Sequence, residues 1–158
     1  MFRLEYAAFC ETNRDAYLRY AQTRLMDQAE ARRCVDTVLA TLGAHWIAAL
    51  GCANLAAQAW GNLRTETHHR ALNAEHQVGN LYALLRDDQA DIMLLRHHLG
   101  LPLDDAARLM GLANHDAQAL LRGAERDLGN LLSHGEQRAR CAPVGRPGVR
   151  RRIDRHKR

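Results

Sequence analysis

Residues 101–128 read LPLDDAARLMGLANHDAQALLRGAERDL. Ala106, Ala107 and Met110 share one face of a short helix predicted over Asp105–Met110, which Pro102 and Asp104 begin. Gly111 permits a tight left-handed turn, and Leu112 fills the gap between two helices. Asn114 suits the N-cap of a longer helix, whose Ala117, Leu120, Leu121, Ala124 and Leu128 recur at helical spacing. This is the spacing of a helix-turn-helix, in which the first turns of the second helix face outward toward a DNA major groove. His115, Asp116, Gln118, Ala119, Arg122 and Arg126 are therefore candidate DNA contacts, with Gln118 suited to adenine edges. A plain helical hairpin with no DNA role has the same spacing.

The chain on either side is also helical in character. Ala, Leu, Arg and Gln dominate, and no run alternates apolar and polar residues for long. The pattern predicts a first helix over Leu4–Glu11 and a second capped by Asn13 or Asp15. A third begins at Asp27, with Ala31, Cys34, Val35, Val38, Leu39 and Leu42 on one face, and breaks at Gly43. An Ala-rich segment from His45 to Arg70 follows, bent or divided by Gly51 and Gly61, with Trp46 and Trp60 as core anchors. Leu81, Leu84 and Leu85 close a short helix. Asp87 or Asp88 caps the next, through Ile92, Leu94, Leu95 and Leu99 to a stop at Gly100. The expected fold is all-α: two small helical domains, residues 1–71 and 79–133, joined by a short linker, 72–78. A basic disordered tail covers 134–158.

Charge divides along the same line. The net charge of +4 over 158 residues hides a tail, residues 138–158, with nine basic residues and one acidic, a net of +8. The other 137 residues carry 13 basic and 17 acidic groups, a net of −4. Arg150, Arg151 and Arg152 mark the tail as an arm for a polyanion, or else as a solvated end. Lys157 is the only lysine; arginine suits phosphate, although GC-rich coding gives the same bias. No apolar stretch reaches the ~18 residues of a membrane span, and MFRLEYAAFCE has no signal-peptide core, so a cytoplasmic protein with no membrane partner is expected.

Little in the sequence suggests catalysis. Cys10, Cys34, Cys52 and Cys141 form no C-x-x-C pair, which argues against a zinc ribbon and a secreted disulfide framework. His68-His69 and His97-His98 are adjacent, and neighbouring helical residues point about 100° apart rather than toward one ion. There is no Gly-rich phosphate loop and no G-x-S-x-G. No metal, no cofactor and no enzyme activity are expected.

Residues 87–128, DDQADIMLLRHHLGLPLDDAARLMGLANHDAQALLRGAERDL, resemble region 4 of sigma-70 family factors, especially the extracytoplasmic-function type. Gln89, Leu94, Leu95, Arg96, Gly100, Asp104, Asp105, Ala107, Leu109, Gly111, Leu112, Leu121 and Leu128 stand where that pattern has such residues. The front half is more faintly similar to sigma region 2. Tyr17-Leu18-Arg19-Tyr20-Ala21 resembles its opening helix, and Asp27-Gln28-Ala29-Glu30-Ala31 with Val35 and Val38 resembles the polymerase-clamp helix. Gln58-Ala59-Trp60-Gly61-Asn62-Leu63-Arg64 resembles the helix associated with promoter melting.

The resemblance implies a DNA-binding transcription regulator that directs RNA polymerase to promoters. Its partners would be DNA, the polymerase core and an anti-sigma or other regulator protein. It also implies DNA contacts by Trp60, stacking on unpaired bases, and by Arg64, and polymerase contacts by Arg32, Arg33 and Asp36. The chain departs from the family in three places. Arg32-Arg33 stands where members carry acidic residues, which changes electrostatic complementarity toward a partner. Asp116-Ala117-Gln118-Ala119-Leu120-Leu121 lacks the recognition helix's usual basic residues, and the linker is short. A sigma-like DNA-binding or regulator-binding protein without initiation activity, or a helical adaptor, fits the same residues.

Overall fold

The computed structural model describes residues 2–71 and 77–140, with side chains for 3–71 and 80–134. All regular structure among the described residues is helical. The helices are α1 (Phe2–Leu25), α2 (Gln28–Ala44), α3 (Trp46–Leu50), α4 (Leu55–Ala71), α5 (Gln77–Leu84), α6 (Asp87–Met93), α7 (Leu103–Met110) and α8 (Asn114–Arg140). A π turn, Leu94–His98, extends α6. Among the described residues no helix is long and apolar enough to cross a membrane.

The predicted division near Asn13 is absent: α1 is one helix of 24 residues. Asn13 Nδ2 donates back to the Phe9 carbonyl at 2.8 Å, and Thr12 Oγ1 to that of Ala8 at 2.8 Å. Both polar side chains bond within the helix rather than capping a new one. Asp27 does cap α2, its carboxylate accepting the Glu30 N–H at 2.9 Å. The predicted face of α2 is its buried face: Ala31, Cys34, Val35, Val38, Leu39 and Leu42. Gly43 does not end that helix, which runs to Ala44. Its missing side chain instead admits Tyr6, whose ring would stand 2.8 Å from a Cβ there and whose hydroxyl donates to the Leu39 carbonyl at 2.7 Å.

The Ala-rich segment divides between Gly51 and Asn54, and Gly61 lies inside α4. Asn54 Oδ1 caps the new helix by accepting the Ala57 N–H at 2.9 Å. Gly100 and Gly111 both have φ +68°, the left-handed conformation that ends a helix cheaply only at glycine. Helix α8 passes the expected boundary at His134 and continues to Arg140.

Tyr17, Tyr20, Trp60, Leu63, Ile92, Leu95 and Leu109 are the large, fully enclosed apolar side chains, and they belong to one continuous cluster. Each stabilises the fold by about 2 kcal/mol of burial. The cluster therefore draws on residues from both the 1–71 and the 79–133 stretches. Polar contacts also cross between them, among them Arg19 to the Leu99 carbonyl at 2.8 Å, Asn54 to that of Gly111 at 2.6 Å, and Arg64 to Asp91 at 2.6 Å.

Candidate nucleic-acid interface

The α7–α8 pair forms where the sequence predicts it. Pro102 precedes α7, and Asp104 and Asp105 occupy its first turn, where carboxylates complement the helix dipole. At the far end Gly111 N–H donates to the Arg108 carbonyl at 3.3 Å and Leu112 N–H to that of Ala107 at 2.8 Å. This pair of bonds is a Schellman closure, and it needs the left-handed glycine between them. Ala106, Ala107, Leu109 and Met110 on α7 are buried, as are Ala117 and Ala124 on α8.

Leu120 and Leu121 are half-buried against the core, and the polar side of α8's first turns faces solvent. His115, Asp116, Gln118, Ala119, Arg122 and Arg126 are all exposed. Their charges are mixed. His115 Nε2 lies 3.3 Å from Asp116 Oδ1, and Arg126 Nε lies 3.9 Å from Asp127 Oδ1. Asp127 also accepts from the buried Gln89 amide at 2.8 Å, which fixes α8 against α6. Arg122 makes no ion pair among the described residues. A groove of about 840 Å³ runs beside this face, lined by Arg86, Gln89, Asp116, Ala119, Arg126 and Asp127 among others.

Residues 80–134 hold five arginines against eight carboxylates. The face thus carries hydrogen-bonding side chains without a basic field. Arg150, Arg151 and Arg152 lie outside the described residues.

The front-half candidates are placed differently. Arg32, Arg33 and Asp36 all lie exposed on α2. Arg33 pairs with Glu30 at 2.6 Å and Asp36 with Arg14, and Arg70 of α4 also grips Glu30. Those bonds hold the Glu30 carboxyl below its ordinary range, first through Arg33 and then through Arg70. Arg32 has no ion-pair partner among the described residues.

Trp60 is not at the surface: it is 2% exposed, and its indole Nε1 donates to Asp91 Oδ2 at 2.9 Å. Arg64 Nε reaches the same oxygen at 2.6 Å. Burial opposes the Arg64 charge, but the Asp91 carboxylate outweighs it and raises the guanidinium's pKa.

Sequence reasoning missed Asp91 itself. Its fully buried carboxylate also accepts from Tyr20 Oη at 2.8 Å and Tyr82 Oη at 2.6 Å. Arg24 completes the cluster, its guanidinium 3.6 Å from the centre of the Tyr82 ring. Burial pushes the Tyr20 and Tyr82 hydroxyls far above their ordinary pKa, so both stay protonated as donors. The signal available in sequence was the repeated aromatic-x-x-x-Arg spacing of Tyr20–Arg24 and Trp60–Arg64. Comparison with protein-family models, with curated proteins and with solved structures gives no match to this chain.

Proposed function

We propose that this chain is a cytoplasmic DNA-binding transcription regulator of the kind its sequence resembles, an extracytoplasmic-function sigma factor. In this reading α7 and α8 form a helix-turn-helix, and α8 reads duplex DNA through Gln118 and Arg122. The arginine-rich tail adds sequence-independent affinity through counterion release. One observation carries the reading: the left-handed closure at Gly111 leaves the first turns of α8 exposed while burying Ala117 and Ala124 behind them. The polymerase core and an anti-sigma protein are the protein partners that follow from the resemblance, with Arg32, Arg33 and Asp36 on the polymerase-facing helix.

The test is co-purification with core RNA polymerase at low salt, followed by transcription from a promoter in a reconstituted assay. Recovery of polymerase and a transcript supports the sigma reading. An empty pull-down sinks it.

A second reading, DNA or regulator binding without initiation, has its own support. Residues 58–64 and 115–126 are tied into one unit by the Asp91 cluster and the Asn54–Gly111 bond, rather than separated by a long span. Duplex binding together with an empty polymerase pull-down selects this reading.

A further inference from the structure

We infer that the cavity where the start of α1 meets the end of α2 and α3 is a binding site for a small aromatic carboxylate, held by Arg3, His45 and the indole N–H of Trp46. None of its described lining residues belongs to α4–α8, so the inference stands independently of the DNA-reading proposal.

The cavity measures about 590 Å³, within the ~300–1,000 Å³ of sites that enclose a small organic molecule. The first turns of α1 supply Arg3 and Tyr6, the end of α2 supplies Gly43, and His45, Trp46 and Ile47 follow in sequence. Because Gly43 has no side chain, the Tyr6 ring can lie against α2. There it meets the Trp46 ring edge-on, with centroids 5.3 Å apart, and Phe9 backs Trp46 at 5.6 Å. These rings make an aromatic wall, which a flat aromatic ligand can pack against. Ile47 at the rim is 70% exposed, apolar surface that the bound ring would cover.

The charges at the cavity favour an anion. Among the described residues no carboxylate lines it. Arg3 is exposed and makes no ion pair among the described residues. His45 Nδ1 lies 3.0 Å from the Thr41 carbonyl, which can only accept, so Nδ1 carries a proton. Protonation of the ring then adds a second donor at Nε2. The carbonyls that end α2 would ordinarily repel an anion. Here His45 occupies two of them, Thr41 through its ring and Leu42 through its backbone N–H at 3.2 Å.

Trp46 supplies the remaining donor. It is 6% exposed, and its Nε1 is buried with no hydrogen-bond partner among the described residues. Trp60, by contrast, gives its Nε1 to Asp91. A buried donor left unpaired is unfavourable and calls for an acceptor that the chain does not supply. A carboxylate offers two oxygens, one for the Arg3 guanidinium and one for the Trp46 N–H. Arg3, His45 and Ile47 are exposed side chains, free to turn aside as the carboxylate enters.

The probe is cinnamate, with cinnamamide as a neutral counterpart of the same shape. The two tryptophans of the full chain give two indole cross-peaks in a nitrogen–proton correlation spectrum, each assigned through its own ring protons. Titration with cinnamate should move the Trp46 peak downfield in the proton dimension and leave that of Trp60, already bonded to Asp91, in place. Cinnamamide should bind about tenfold more weakly. Arg3→Ala, a change at an exposed position, should weaken cinnamate binding by about as much and leave cinnamamide binding unchanged. A Trp46 peak that never moves, equal affinity for the acid and the amide, or unchanged cinnamate affinity in Arg3→Ala overturns the inference. The wild-type titration needs no variant to fold. Failure of duplex binding leaves these outcomes untouched, and their failure leaves the proposed function intact.

Discussion

Asn54 and Gly111, 57 residues apart in sequence, hold one another: the Asn54 amide donates to the Gly111 carbonyl at 2.6 Å. The approach is so close that a Cβ on Gly111 would lie 2.4 Å from the Ala57 nitrogen. The turn that orients α8 is therefore also the point where α7 and α8 meet the start of α4.

Gly111→Ala should cost roughly 3 kcal/mol, combining left-handed strain with a clash against backbone that cannot yield. Gly100 has the same φ of +68°, but a Cβ there would meet nothing within 4 Å, so Gly100→Ala should cost only about 1 kcal/mol. Urea denaturation of the two variants checks this. Equal losses would show that the approach of Gly111 to Asn54 and Ala57 does not constrain the turn.

The contrast between those two glycines shows what the sequence reveals. Each reads as a helix stop from local pattern alone, and each is one. Nothing local says that Gly111 faces Ala57, because that contact depends on how α4 packs. The same division holds elsewhere. The apolar face of α2 was legible as Ala31, Cys34, Val35, Val38, Leu39 and Leu42 because a single helix period fixes it. The continuity of α1 through Asn13 was not legible, since the side chain can bond either forward as a cap or back to Phe9. For the candidate site, the exposed positions of α8 follow from periodicity. The burial of Trp60 and Arg64 depends on Asp91, which the sequence leaves looking like an ordinary surface acid in an apolar run.

Asp91→Ala should destabilise the protein by about 3–5 kcal/mol, because Arg64 is left half-buried without its counter-ion. Chemical denaturation measures the loss. A change under about 1 kcal/mol would mean that water or another carboxylate replaces Asp91 readily.

Cys34 is buried on α2, and burial pushes its thiol pKa up to about 11. In the native protein at mildly alkaline pH it should resist alkylation while the exposed Cys52 reacts. Mass spectrometry of the labelled peptides distinguishes them. Labelling of Cys34 at the Cys52 rate, without denaturant, would contradict its burial.

Glu30 joins α2 to α4 through Arg70, and its folded-state pKa lies below the ordinary 4.5. The lowered value means that ionised Glu30 favours the folded state, a contribution present above 4.5 and lost as pH falls through the folded value. The melting temperature of the wild type should exceed that of Glu30→Gln near neutral pH, with the gap closing under acid conditions. A gap that widens on acidification would reverse the assigned sign.

Removing residues 141–158 should weaken binding to every duplex alike and flatten its salt dependence, each lost phosphate contact reducing the slope by about 0.9. Anisotropy titrations across salt concentration measure both quantities. An unchanged slope would remove the tail from DNA binding.

Selection from a randomised duplex library asks directly whether α8 reads bases. The wild type should enrich a defined sequence, and Gln118→Ala and Arg122→Ala should each alter that preference while leaving the melting temperature unchanged. No enrichment by the wild type, or the same enriched sequence from both variants, would contradict the assignment of α8 as a DNA-reading helix.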